Sequence, residues 1–505
     1  MTIGTQLGLC RTFCLVSSVC VLGLFARQCV GFSWQPSRRG VFRTSHRTHR
    51  NKEWRGFYEK AYNRTERASK DSDVTTPYWE DCPTPRPLKV YIYPEDDYGI
   101  AWKRCNVTST EGFHAFIRRA KNSNTLPELF WLQQLQLHPY RTLHPEEADL
   151  FVLPVFLAAN ARNLCGPAAI NLQRVISALK ASPWYQRKQG RDHMLLSVDF
   201  NVQPLFFTHP GRFGKPLYTG NKLHELWYYT QNFILAAKMH TGNTHTTLAT
   251  PNKSKDRCII PVPVVSPYGV SHRNCTEAQE TKRTGTDGPF FSCPSAGHEA
   301  TFEDYESERN FTMFFLGQAD TRAAYTTRRV AVKVLPPLKG PNFFAVLDRK
   351  ASLGACFRDK TPQEGCSLTR YNTTVYAENL RRSKFSIFAS GDDPNSSRLY
   401  DAFAAGTISI KLSDRFFSHV AAFKCEVPWR DALVLLNERA FQATPRTVLE
   451  RKLGPLLESD AGRAQWRRTW AVQRRVADDV LWHTPSSRVA DNILKDVSRF
   501  CLLPE

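Results

Sequence analysis

The chain has 505 residues, enough for two or three domains with substantial cores, and its 42% hydrophobic and 12% aromatic content sets aside disorder as the general rule. Its formal charge is +21, but residues 1–70, with thirteen Lys or Arg against three Glu, account for +10 of it. The remaining +11 is spread over 435 residues and comes with no zinc-finger spacing or RNA-binding signature, which disfavours nucleic-acid binding.

The chain begins with an uncharged, mostly apolar stretch from Thr12 to Ala26, flanked by Arg11 and Arg27. It is shorter than the about 20 apolar residues of a comfortable membrane span. Residues 1–32 therefore read either as a signal peptide cleaved after Ala26 or as a short signal anchor. The basic sequence that follows, 33–85, reads as a stem, and its charge argues against translocating that side. Both readings lead into the secretory pathway: a Golgi membrane protein, single-pass type II with the rest of the chain in the lumen, or a lumenal protein with a cleaved leader. Ten of the fourteen cysteines lie beyond the leader without a C-x-x-C pair, as expected of disulfides in an oxidising lumen. Their pairing does not follow from spacing. Seven N-x-S/T sites, at Asn63, Asn106, Asn252, Asn274, Asn310, Asn372 and Asn395, fit the same compartment.

Regular structure is expected from Leu88–Tyr93, an alternating strand closed by Pro94. A helix at 126–137, a buried strand at 150–156, a helix at 171–179 and a strand at 194–198 follow, the last running into Asp199. Between 240 and 300 the pattern breaks into Thr, Ser, Pro, Gly and Cys-rich sequence around an apolar run at 259–265. The stretch near 272–300 reads as a loop insertion, pinned by a disulfide at Cys275 or Cys293. A second series then begins: a strand at 311–316, a basic helix from Thr321, and a strand at 343–347. Helices alternating with short apolar strands make the fold class α/β with largely parallel sheets. The expected division is 86–300, 301–450 and an Arg-rich helical tail over 451–505 whose charges are a solvated face. No G-x-S-x-G, H-E-x-x-H or P-loop occurs, which removes the commonest esterase, zinc-protease and nucleotide hydrolase readings.

The stretch from Ser390 to Asp414 organises the second series. An apolar strand, 385–389, leads through the loop Gly391 to Ser397 into a helix whose face carries Leu399, Ala402 and Phe403; Gly406 stops it and a strand follows over 407–412. Asn395, Ser396 and Ser397 are candidate caps of the first turn, whose free N–H groups favour an anion. Arg398 adds a guanidinium, and Asp401, three positions on, offers a carboxylate to a sugar diol. Charge at the helix tip and a diol acceptor one turn deeper suit a nucleotide diphosphate. The alternative for these two residues taken alone is a structural Arg–Asp pair.

Several stretches, in order from about 88 to 440, resemble the exostosin family of glycosyltransferases, including its heparan-sulfate and plant cell-wall members: K-V-Y-I-Y at 89–93, P-E-E-A-D-L-F-V-L-P-V-F, P-W-Y-Q-R-K-Q-G-R-D-H, F-T-M-F-F-L-G, and S-K-F-S-I-F-A-S-G-D-D-P-N-S-S-R-L-Y-D-A-F-A-A-G. The resemblance implies a GT-B architecture: two Rossmann-like domains facing across a cleft, the first for the acceptor and the second for the nucleotide sugar. It also implies inversion at the anomeric carbon without a bound metal or other cofactor. Ser397 and Arg398 match the phosphate-facing positions, Asp401 the ribose position, and Gly391 opens the loop to the diphosphate. Asp199 is the first candidate for the catalytic base and His193 the second, with a histidine hydrogen-bonded within the domain the equal alternative for His193 and a structural pair with Arg191 expected for Asp192. Two departures stand out. Val198 replaces a histidine common before that aspartate, and Gln318 a basic residue common after Gly317, a charge that Arg322 is expected to supply. Asp392 and Asp393 read as a turn, with no metal site. The expected function is transfer of a sugar from a nucleotide donor, UDP being the expected nucleotide, to a glycan or polysaccharide acceptor. The alternative is a catalytically inactive, glycan-binding accessory subunit in a complex with another glycosyltransferase. With no second transferase domain after the first, one activity is expected. A glycan on Asn395 would sit in the donor loop, so that sequon is expected to stay unmodified.

Overall fold

Short apolar runs and the helices between them build two six-stranded parallel sheets. The structure is a computed structural model that describes residues 82–94, 105–107, 109–120, 125–198, 223–238, 258–271, 301–317, 325–334, 343–348, 357–358, 361–362, 368–369, 373–391 and 394–502. The expected leader, nearly all of the stem and the 272–300 insertion, with Cys275 and Cys293, lie outside these residues. Among the described residues no helix is long and apolar enough to cross a membrane.

The first sheet comprises β1 (Val90–Ile92), β2 (Arg141–Thr142), β3 (Leu150–Val152), β4 (His193–Ser197), β5 (Ile234–Ala237) and β6 (Ile259–Pro261). Its order is β2-β1-β3-β4-β5-β6, so the direction of winding reverses between β1 and β3. The second sheet contains β7 (Phe311–Gly317) and β8 (Phe343–Asp348), and, after a small antiparallel pair β9 (Phe357–Arg358) and β10 (Thr361–Pro362), β11 (Leu368–Thr369), β12 (Ser383–Ala389), β13 (Ile408–Leu412) and β14 (Val434–Leu435). Its order, β11-β8-β7-β12-β13-β14, is that of a dinucleotide-binding fold, with the reversal between β7 and β12. β3 and β5 are buried along their length, which is why LFV and ILAA read as continuous apolar runs, whereas β13 is equally buried although its ISIKL alternates, with Ser409 and Lys411 as buried polar residues.

Seven helices carry the argument: α1 (Leu126–Gln136), α2 (Pro267–Ser271), α3 (Thr326–Val334), α4 (Thr373–Arg381), α5 (Ser397–Ala405), α6 (Asp460–Arg475) and α7 (Val489–Phe500). Helix α5 is buried from Leu399 to Ala405 and lies between the second sheet and α2. Gly406 ends it in the left-handed conformation at φ 66°, where a side chain would be strained. One apolar core covers the first sheet and continues through Leu399, Tyr400 and Phe403 of α5. A second lies on the other face of the second sheet, from Met313 and Phe385 to Trp466.

The Arg-rich tail is helical, and its exposed arginines behave as expected: Arg463 and Arg467 of α6 pair with Glu306 and Glu303 at the surface, contacts of small energetic weight. Its last helix is different. Helix α7 packs against β6 and α1 with Val489, Ile493, Leu494 and Val497 buried. Disulfides join Cys82 to Cys425, Cys105 to Cys165 and Cys258 to Cys501, and the first and last of these tie early segments to late ones.

Candidate functional site

In open α/β sheets ligands bind beyond the carboxyl ends of the strands at the point where the winding reverses. In the second sheet that point lies where β7 ends at Gly317 and β12 runs out through Ser390 and Gly391. Two guanidinium groups meet there. Arg398, in the first turn of α5, donates from Nε to the Leu316 carbonyl at 2.5 Å and from Nη1 to Ser396 Oγ at 3.2 Å. Its Nη2 has no hydrogen-bond partner among the described residues and lies over Gly317, where a Cβ would come within 2.9 Å of it. Arg328, in the first turn of α3, is buried and donates from Nη2 to the Ala389 carbonyl at 3.1 Å. It lies against Gly391, where a Cβ would approach its Nη2 to 2.5 Å. Each glycine thus makes room for the arginine on the neighbouring strand's exit, and two helix N-termini converge with them.

Of the three candidate caps, Ser396 is the one used: its Oγ accepts from the Arg398 N–H. That leaves Ser397, half-buried at the head of α5, with its N–H and hydroxyl unpaired among the described residues. Asn395 is buried, and its side-chain amide donates to the Lys238 carbonyl, just past β5, at 2.8 Å. The nitrogen that a glycan would occupy is therefore already bonded within the fold.

Asp401 departs from its expected role. It is 2% exposed, and its Oδ1 accepts from Ser266 Oγ at 2.7 Å and the Tyr268 N–H at 3.0 Å, while Oδ2 accepts from Tyr376 OH at 2.8 Å. The carboxylate clamps α5 to α2 and α4, and burial raises its pKa. A sealed carboxylate with three protein donors is not an open acceptor for a ribose diol, so the structural role replaces the expected one.

Behind the same clamp His483 packs on Gly269 of α2, 1% exposed, with both ring nitrogens lacking a hydrogen-bond partner among the described residues. Burial pushes its pKa down to about 4. The folded state therefore refuses a proton that the unfolded chain accepts below its ordinary pKa of about 6.5. This contribution to stability is complete above that value and is lost as the pH falls towards 4, by roughly 3 kcal/mol in all. His483→Leu is expected to flatten that acid limb and to raise stability near neutrality by removing two unpaired nitrogens. Urea unfolding midpoints from pH 7 to 4 measure it; an acid limb as steep in the variant as in the wild type would refute it.

His193 is corrected as well. It opens β4, at the amino edge of the first sheet, away from the carboxyl edge where ligands bind. Its ring is 0% exposed and stacks on Phe151 at 4.9 Å; Nδ1 pairs with Asp192 at 2.8 Å and Nε2 with Tyr93 OH at 2.8 Å. Burial lowers its pKa, and no ring nitrogen is left for a substrate. The cation beside Asp192 is Arg187, at 2.8 Å, rather than Arg191, which is exposed. Asp199 and Arg322 lie outside the described residues, as do Gln318, Asp392 and Asp393. Among the described residues no group of three His, Cys, Asp or Glu is assembled that could hold a metal.

Sequence reasoning passed over Arg328, Ser266 and Tyr376. The first was within reach: T-T-R-R opens the helix after β7 much as S-S-R opens the one after β12. The other two come from segments 110 or more residues apart in the chain and carry no local signal.

Two parallel, Rossmann-like sheets, the second wound as a dinucleotide-binding fold with paired arginines at its reversal, define a glycosyltransferase fold of the GT-B type. A family model, the Exostosin GT47 domain, matches residues 84–451. The chain belongs to the exostosin GT47 family; it is a glycosyltransferase, and membership carries with it a nucleotide-sugar donor and a glycan acceptor. No curated protein sequence matches it. Among solved structures it is similar to a UDP-forming α,α-trehalose-phosphate synthase from Burkholderia xenovorans, at 12% identity over 80% of this chain and 86% of that one, TM-score 0.35. It is also similar to a glycosyltransferase from Rickettsia africae, at 10% identity over 82% and 98%, TM-score 0.34. A third is WaaG, a glycosyltransferase of lipopolysaccharide biosynthesis, at 11% identity over 59% and 73%, TM-score 0.31.

Proposed function

We propose that the chain transfers a sugar from a UDP-sugar to a glycan or polysaccharide with inversion at the anomeric carbon. The observation that carries this is the pair Arg328 and Arg398 at the reversal of the second sheet. Two fixed guanidinium groups, the unpaired N–H and hydroxyl of Ser397, and two helix N-termini suit the charge that grows on a departing diphosphate. They hold that charge with hydrogen-bond donors in place, so no metal ion enters this account. On the other face of the sugar an acceptor hydroxyl attacks the anomeric carbon and loses its proton to a general base. Asp199, which follows Ser197, the last residue of β4, by two positions in the sequence, is the residue we assign to that step.

The three disulfides support a secretory-pathway lumen, since such bonds persist where thiols are not kept reduced. We extend the proposal to a Golgi enzyme attached through residues 1–32 or released by cleavage after Ala26. Thermal unfolding of the lumenal region with and without UDP tests the donor. Saturating UDP should raise the midpoint by a few degrees, because a ligand at 100 times its Kd stabilises by about 2.7 kcal/mol. No shift with UDP or any UDP-sugar would overturn the reading. A second reading, an accessory subunit that keeps the fold without turnover, draws on the commitment of Asp401 inside the protein. UDP binding without release of UDP from any UDP-sugar in the presence of glycan acceptors would favour it.

A further inference from the structure

The donor arginines differ in how they are held. Arg398 sits on α5, whose place is fixed by burial on every side. Arg328 sits in the first turn of α3, a nine-residue helix, and its neighbour Thr327 is fastened by side-chain bonds from a different part of the chain. Thr327 Oγ1 donates to Glu438 Oε1 at 2.5 Å and accepts from Gln442 Nε2 at 2.7 Å. Glu438 is itself locked. Its Oε2 accepts from the Asp414 N–H at 3.1 Å, and its own N–H donates to Asp414 Oδ1 at 3.0 Å. One step further, Ser390 Oγ donates to Ser413 Oγ at 2.8 Å, so the exits of β12 and β13 are joined directly above the same edge.

We propose that Thr327, Glu438, Gln442 and Asp414 form a positioning network for Arg328, which sets the guanidinium at the diphosphate rather than touching the donor themselves. The inference rests on the reading of the reversal point as the donor site. Its physical basis is geometric. A first-turn residue has no intrahelical acceptor for its N–H, so the turn is free to fray unless a side chain fastens it. Thr327 is 2% exposed, adjacent to Arg328, and takes two hydrogen bonds that fix the rotation of that turn about its axis. An arginine whose fork must meet two phosphate oxygens loses affinity when its backbone anchor is displaced by a fraction of an ångström. Glu438 is the component that makes the anchor rigid, because it is bound reciprocally to Asp414 at the end of β13. A carboxylate there serves two donors at once, Thr327 Oγ1 and the Asp414 N–H, which a neutral amide does with one oxygen only.

The role is readable because it passes through a second residue. Calorimetric titration with UDP is the measurement, on wild type, Thr327→Val, Thr327→Ser, Glu438→Gln, Arg328→Ala and the double variant Thr327→Val with Arg328→Ala. Thr327→Val keeps the shape and removes both bonds; it is expected to weaken UDP binding about tenfold, with Glu438→Gln moving in the same direction and Thr327→Ser restoring wild-type affinity. In the Arg328→Ala background Thr327→Val is expected to have no further effect, which a purely structural contribution would not produce. Wild-type protein that binds no UDP removes the donor site and this network with it. Wild-type binding that Thr327→Val leaves unchanged, or weakens equally with and without Arg328, overturns the positioning role alone. Should the valine variant fold poorly, Glu438→Gln, alone and in the Arg328→Ala background, decides by the same comparison.

Discussion

Arg398→Ala is expected to weaken UDP binding by roughly 30- to 1000-fold. The range comes from losing charge-assisted hydrogen bonds to phosphate, together worth about 2–4 kcal/mol, with each 1.4 kcal/mol a factor of about ten. Arg398→Lys should recover little of it. The lysine ammonium cannot hold the Leu316 carbonyl and Ser396 and still present a planar fork to an anion. Titration calorimetry on the alanine and lysine variants gives the answer, and an alanine variant within about threefold of wild type would remove Arg398 from the site. Because Arg398 also braces the end of β7, the unfolding midpoint of each variant must be read beside its affinity.

The second large effect is on stability. Arg309→Met is expected to cost about 3–5 kcal/mol, read as a fall in the urea or guanidinium midpoint. Arg309 is 8% exposed and has no carboxylate within ion-pair distance among the described residues; its guanidinium is spent on acceptors at the amino edge of the second sheet. It donates to the Ser383 carbonyl at 2.8 Å, the Ala405 carbonyl at 2.6 Å and Thr407 Oγ1 at 2.7 Å, with a longer contact to the Leu380 carbonyl at 3.3 Å. Two of these acceptors, Leu380 and Ala405, belong to the ends of α4 and α5, where carbonyls have no intrahelical donor. Methionine fills the volume and satisfies none of them. Thr407 Oγ1 would still serve Leu380, at 2.7 Å, which keeps the cost below that of four stranded groups. A loss under about 1 kcal/mol would show that water replaces the guanidinium.

Much of the second sheet was legible in the sequence, and the reasons are local. The strand, loop, helix, strand order from Phe385 to Leu412 follows from an apolar run, a capping serine, a helical face and a glycine that must be left-handed, all within thirty residues. The same signals placed Arg398. Strands β2, β5 and β14 were passed over: β2 and β14 are two residues each, and β5 is four residues of plain aliphatic composition with no turn signal to frame it. The site was legible only where its parts are sequential. Asp401 looked like a diol acceptor because Arg398 stands three positions before it, and what decides its role, Ser266 and Tyr376, is 135 and 25 residues away. His193 failed for a related reason. R-D-H reads as polar chemistry, but its place at the start of a buried strand is fixed by the sheet order, which no single stretch encodes.

The return of α7 to the first sheet bears on when each half of the molecule can be finished. Arg86 donates its N–H to Ser498 Oγ across 412 residues, Arg499 reaches the Pro83 carbonyl, and Cys258 waits 243 residues for Cys501. A ribosome delivers β1 to β6 long before it delivers the helix that covers β6 and α1. The second sheet, with strands from Phe311 to Leu435, is covered on one face by Trp466 and Trp470 of α6, which ends at Arg475, so the segment made later has that cover before α7 emerges. The order of synthesis and the order of completion are therefore opposed, and the earlier half must stay soluble with an uncovered apolar edge until residues 489–501 emerge.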